Sequence, residues 1–139
     1  MGRVVNTNAP AKRRSHLMRT IAEILRGLGQ KKGLDDEVKD MVATIVLSLR
    51  EIDETIGESV KAWEKRGYYK KADDFQEKWW WSQALRPSLE TVLREDKWEE
   101  LPMIMLKLLP HCSDIEINKA MRSESDWHGN YEVLMPQLK

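Results

Sequence analysis

The residues best equipped for chemistry in this 139-residue chain are carboxylates, guanidinium groups and indoles. Glu51, Glu54 and Glu58 recur at three- and four-residue spacing, and Asp73, Asp74 and Glu77 follow further along. Oxygen ligands presented in this way suit a hard cation such as Mg²⁺. Lys12, Arg13, Arg14, Arg19 and Arg26 crowd the front of the chain, and arginine forks suit phosphate. Trp79, Trp80 and Trp81 stand in a row. On a helix, three successive side chains fan over roughly 200°, more than one core-facing stripe holds.

The carboxylates carry one reading. An ExxE (Glu51, Glu54) followed by a DxxE (Asp74, Glu77) is loosely similar to the all-α nucleoside-triphosphate pyrophosphatases, which hold Mg²⁺ through ExxE and ExxD pairs. The second pair runs in reverse order here. The resemblance implies a Mg-dependent, nucleotide pyrophosphatase-like enzyme, the third of three functional readings. Angular arithmetic opposes it, because Glu51, Glu54 and Glu58 point almost opposite to Ile45, Leu49, Ile52 and Ile56, toward solvent. Zinc is poorly served by one Cys112 and the scattered His16, His111 and His128. Adjacent His111 and Cys112 do not face each other on a helix, and a lone cysteine is usually a buried small hydrophobe. No ExxH pair, glycine-rich phosphate loop or nucleophile elbow is present in the sequence. The sequence therefore assigns no catalytic residue, metal or cofactor and leans toward a non-enzyme.

The guanidinium groups carry the leading reading. Lys+Arg and Asp+Glu both number 23, but the zero net charge hides an asymmetry. Residues 1–32 hold eight basic groups against the single Glu23, 8 − 1 = +7, so the remaining residues hold −7. Lys12, Arg19 and Arg26 are seven apart and line up on one helix face, roughly opposite Leu17, Ile21 and Leu28. Cations near a helix N-terminus oppose the dipole, so something negative must compensate. Nucleic-acid phosphate is one candidate, with salt-dependent binding. The expectation is a non-enzymatic DNA- or RNA-binding accessory protein or small subunit of a larger assembly, with Lys12, Arg13, Arg14, Arg19 and Arg26 on the phosphates. The alternative is that carboxylates of the same molecule already meet these groups. A homo-oligomeric helical interaction or scaffold module without nucleic acid then becomes the second reading.

The elements that must position these groups are helical. Leu17, Met18, Ile21, Ile24, Leu25 and Leu28 space a first helix over about 10–28, with Asn8 as a cap. Val38, Val42, Ile45, Leu49, Ile52, Ile56, Val60 and Trp63 form a near-heptad seam over about 35–66. A tight turn at "RGYY" starts a third helix whose inward stripe is Tyr68, Ala72, Phe75, Trp79 and Ser82. Pro87 is expected to kink or restart it. Short helices over roughly 97–109, 113–121 and 126–135 follow. The fold class is an all-α helical bundle on a long antiparallel hairpin, with residues 1–9 as a flexible arm and 10–139 as a single domain. One cysteine excludes an internal disulfide and no run reaches membrane-span length, so a soluble, cytoplasmic protein is expected.

The indoles bear on partners. Trp79 falls on the core stripe and Trp81 near the face of Leu85 and Val92. Trp80 is left on a polar face with Tyr69 and Gln76. Its expected cover is the C-terminal segment, a second copy or a stacked ligand. Trp98 to Leu109 is apolar nearly all round and must be buried in the core or an interface. Trp80, Trp81, Trp98, Ile104 and Trp127 are the expected partner-interface residues, with a homo-oligomer or protein partner and no membrane.

Overall fold

The computed structural model describes residues 9–139. The expected arm, apart from Ala9, and the expected cap Asn8 lie outside them. Among the described residues the fold is all-α with no strand. Helices α1 (Pro10–Leu28) and α2 (Asp36–Lys65) are joined by a short loop, and α3 (Tyr69–Lys78) and α4 (Trp80–Glu95) follow. A single 3₁₀ turn at Trp98–Glu100 leads into α5 (Leu101–Cys112), and α6 (Glu124–Trp127) and α7 (Asn130–Leu138) close the chain.

Local chemistry sets the element ends. Pro10 occupies the first turn of α1, where its missing N–H costs nothing. Asp35 caps α2, its Oδ1 accepting the Val38 N–H at 2.8 Å. At the far end of α2, Gly67 N–H donates to Glu64 O (3.0 Å) and Tyr68 N–H to Trp63 O (2.9 Å). That double bond pattern around a glycine at φ +80° is a Schellman cap. It reverses the chain within three residues.

Pairs of contacts give the directions. Arg13 meets Glu58 and Arg14 meets Thr55, so α1 runs antiparallel to α2. Trp63 packs edge-on against Phe75 at 4.8 Å, while Ser82 and Arg86 both reach Asp53; α3 and α4 therefore also run antiparallel to α2. Helix α7 lies along α2 in the same direction, with Asn130 on Thr44, Tyr131 N–H on Asp40 and Gln137 on Arg50. The seam residues Val42, Ile45, Leu49, Ile52 and Ile56 are all buried, as spaced. Met41, Ala43, Val46, Ser48 and Thr55 are buried too, because α1, α3, α4, α6 and α7 all pack on α2.

Three expectations are corrected. The helical break falls at Trp79 (φ −102°, ψ 8°), not at Pro87, which sits inside α4. Pro87 is exposed, and α4 continues through it with one backbone hydrogen bond missing. Tyr68 is not on the inward stripe; beyond the Schellman turn it is 54% exposed. Residues 113–121 form no helix, because α1 side chains engage their backbone, as described below.

Gly57 lies in mid-α2, with nothing within 4 Å of the position its Cβ would take. Gly57→Ala is expected to stabilise the protein by about 0.5–1 kcal/mol, through reduced unfolded-state entropy and better helix propensity. Urea titration checks this, and an unchanged midpoint at equal slope would contradict it.

Candidate nucleic-acid interface

Most of the α1 cations are engaged by their own molecule, although Lys12 and Arg26 remain exposed. Arg13 donates to Glu58 at 2.9 Å. Arg14 is buried, donates to Thr55 Oγ1 at 3.1 Å, and lies over the rings of Phe75 (4.7 Å) and Trp79 (5.5 Å). Burial lowers its pKa, but a guanidinium stays charged; the ring faces supply the negative potential that a carboxylate otherwise would. Arg19 donates to Glu23 (3.0 Å) and to the backbone carbonyls of Glu116 and Lys119 (both 3.2 Å). Arg26 donates to Ile117 O at 3.0 Å.

The strap 113–123 is therefore clasped to α1. Glu23, on α1 itself, completes the clasp. Its Oε1 accepts the backbone N–H groups of Met121 and Arg122 (both 2.8 Å), and its Oε2 accepts Arg19 and the Arg122 guanidinium (both 3.0 Å). Burial pushes the Glu23 pKa up, but the two backbone N–H bonds and Arg122 outweigh it, and the net shift is downward. Along the Arg19–Arg26 stripe, Arg19 is half-buried under the strap, and Arg26 stays exposed while holding one strap carbonyl. The stripe satisfies strap carbonyls that no helix or sheet pairs. Of the five residues expected on phosphate, Lys12 and Arg26 are exposed and make no ion pair among the described residues, although Arg26 does donate to a strap carbonyl.

A second cationic cluster does face solvent, where α2 turns into α3. Lys61, Lys65, Arg66, Lys70 and Lys71 are all exposed, with Glu64 as the only acid among residues 61–71. Lys61, Lys65, Arg66 and Lys71 make no ion pair among the described residues, and Lys70 touches Asp74 only at 3.4 Å. The contact of Arg13 with Glu58 puts the start of α1, with Lys12, at this same end. Tyr68 and Tyr69, 54% and 63% exposed, stand among the cations. Gly67, Tyr68, Tyr69, Lys70 and Lys71 line a shallow concavity of ≈ 380 Å³. The first turn of α3 has no side-chain cap, so its N–H groups open there with the positive end of the helix dipole. Sequence reasoning weighted the front of the chain by charge count and passed over this cluster. Its signal is "KRGYYKK", a basic run interleaved with tyrosines at a predicted turn.

The tryptophans separate at the α3–α4 break. Trp79 turns toward Phe75 and Arg14. Trp81 stacks flat on His111 of α5 at 4.1 Å. Trp80 stays 62% exposed, uncovered by the C-terminal segment. Of the other expected interface residues, Ile104 is buried inside the chain, a correction that follows from its place on the inward face of α5. Trp127 is half-buried and donates to Glu37 at 3.2 Å, while Trp98 donates to Asp96 and flanks a groove beside α5. The carboxylates of the pyrophosphatase-like reading are dispersed. Glu51, Glu54, Asp73, Asp74 and Glu77 are exposed, Glu58 is engaged by Arg13, and among the described residues no group of three or more possible ligands is gathered. Cys112 is buried and its thiol is pushed up to about 11 by desolvation, which leaves it protonated at neutral pH.

Fold and surface together define an all-α bundle with one basic, tyrosine-bearing end, and no helix of the described residues is long and apolar enough to cross a membrane. Comparison with protein-family models, with curated proteins and with solved structures gives no match.

Proposed function

We propose that the protein binds single-stranded nucleic acid at the α2–α3 end of the bundle. The observation that carries this reading is the solvent-facing set of Lys61, Lys65, Arg66, Lys70 and Lys71 around the exposed Tyr68 and Tyr69. Proteins that hold single strands combine a cationic track for the backbone with aromatic faces on which bases stack, each worth about 1–3 kcal/mol. The uncapped first turn of α3 offers N–H donors for one phosphate between the cations. Rigidity favours the same use, since the Schellman cap fixes the tyrosines without a mobile loop. Neither catalysis nor a metal enters, and the role is that of a binding or accessory subunit. This reading keeps the polyanion expected from the sequence but moves its seat from Arg14, Arg19 and Arg26 to the hairpin turn.

Fluorescence anisotropy with labelled oligo-dT and oligo-U at two salt concentrations tests it. If four cations engage phosphate, log K should fall with log salt at a slope of about −3. Lys65→Glu with Arg66→Glu should flatten that slope and weaken binding by at least about tenfold, whereas Tyr68→Ala with Tyr69→Ala should weaken binding at an unchanged slope. No binding at low salt, or binding indifferent to both double variants, would refute the assignment.

A further inference from the structure

Helix α5 is apolar on both sides. Leu101, Ile104, Leu108 and Cys112 face the core and are buried. The outer face carries Met103 (59% exposed), Leu106 (60%) and Leu109 (48%), with Lys107 and His111 as the helix's only ionisable side chains besides the buried Cys112. Beside it, Leu34 of the α1–α2 loop is half-exposed. Leu34, Trp98, Pro102, Met105, Leu106 and Leu109 line a groove of ≈ 530 Å³. A contiguous apolar face of this kind is uncommon on a monomer and marks an interaction site.

We propose that the occupant is a second copy of this chain, with α5 packed antiparallel against α5 of its twin across a two-fold axis near Met103. The charges around the face are self-complementary for that arrangement. Glu99 and Glu100, both exposed, precede the helix, and exposed Lys107 lies seven residues beyond Glu100. Their midpoint falls between Met103 and Ile104. A two-fold axis there sets Lys107 of each copy against Glu100 of the other, about 10 Å along the helix from its own. Met103 then meets its own copy at the axis, and Leu106 of one copy is carried toward the groove of the other. A parallel arrangement would instead place like charges together, which opposes association. The surface is isologous, and Leu34 and Trp98 flank the contact on each side. This inference is independent of the nucleic-acid reading, since it uses none of the cations around Tyr68 and Tyr69.

Light scattering on the full chain, with sedimentation from about micromolar to about millimolar concentration, reads the outcome. A dimer is expected, and Leu106→Glu should raise its dissociation constant at least about a hundredfold. Because α5 also contributes to the core, a charge exchange serves as a second measurement at exposed positions. Lys107→Glu alone should weaken the dimer, and Lys107→Glu combined with Glu99→Lys and Glu100→Lys should restore it. A protein monomeric throughout that range, a dimer untouched by Leu106→Glu, or a charge exchange without rescue would overturn the proposal.

Discussion

Replacing Glu23 by alanine is expected to lower the free energy of unfolding by about 3–5 kcal/mol, the cost of breaking a buried ion pair from one side. The side chain is 3% exposed and serves four donors: Arg19, the Arg122 guanidinium and the backbone N–H groups of Met121 and Arg122. Alanine removes the carboxylate partner of the Arg122 side chain, itself 10% exposed, leaving it only Thr20 and His16 as acceptors, and leaves two N–H groups of the strap without an acceptor. Glu23→Gln should fall between, because its amide keeps one acceptor oxygen but turns an N–H toward donors. The pH dependence has a definite sign. The folded pKa of Glu23 lies below its ordinary value of 4.5, so its stabilisation is fully present above about that pH and is lost as pH falls through the folded value. Urea titrations of wild type and Glu23→Ala should therefore converge on acidification and stay parallel above pH ~5. A difference below about 1 kcal/mol at neutral pH would show that the strap is not held by this carboxylate.

Trp79→Ala and Trp80→Ala should differ sharply although the residues are adjacent and identical. Trp79 packs against Phe75 and Trp81, at 6.4 Å and 5.7 Å between ring centroids, and forms part of the aromatic bed under the buried Arg14. Its loss opens a cavity at the α3–α4 break and removes a ring that offsets a buried positive charge, at a cost of about 3 kcal/mol. Trp80 is 62% exposed, and its replacement should change stability by no more than about 0.5 kcal/mol. Thermal and urea unfolding of the two variants side by side measure the contrast. Equal destabilisation would mean that Trp80 is covered in solution.

Much of the architecture was legible in the residues. The 4-3 spacing of apolar side chains from Val38 to Val60 identified α2, Pro10 and Gly67 marked helix ends, and the short "RGYY" turn required α3 to fold back. These signals are local, because helical periodicity and capping act over a few residues. The break at Trp79 was not legible in the same way. Proline is the obvious breaker, but where a helix bends also depends on which side chains the neighbouring helices accept, here Trp79 beside Arg14 and Trp81 against His111. Residues 113–121 escaped for a related reason, since their backbone partners are side chains of α1 about a hundred residues away.

By itself the sequence determined an all-α chain, the register of its long helices and the surplus of positive charge at its front. Only the tertiary structure decided where charge is available. Charge counts add along the chain, whereas electrostatic availability depends on what lies within a few ångströms in space. The arginines of α1 are used by Glu23, Glu58, strap carbonyls and aromatic faces of their own molecule. Lys61, Lys65, Arg66 and Lys71, in a stretch that the charge count passed over, face water together without an ion pair among the described residues.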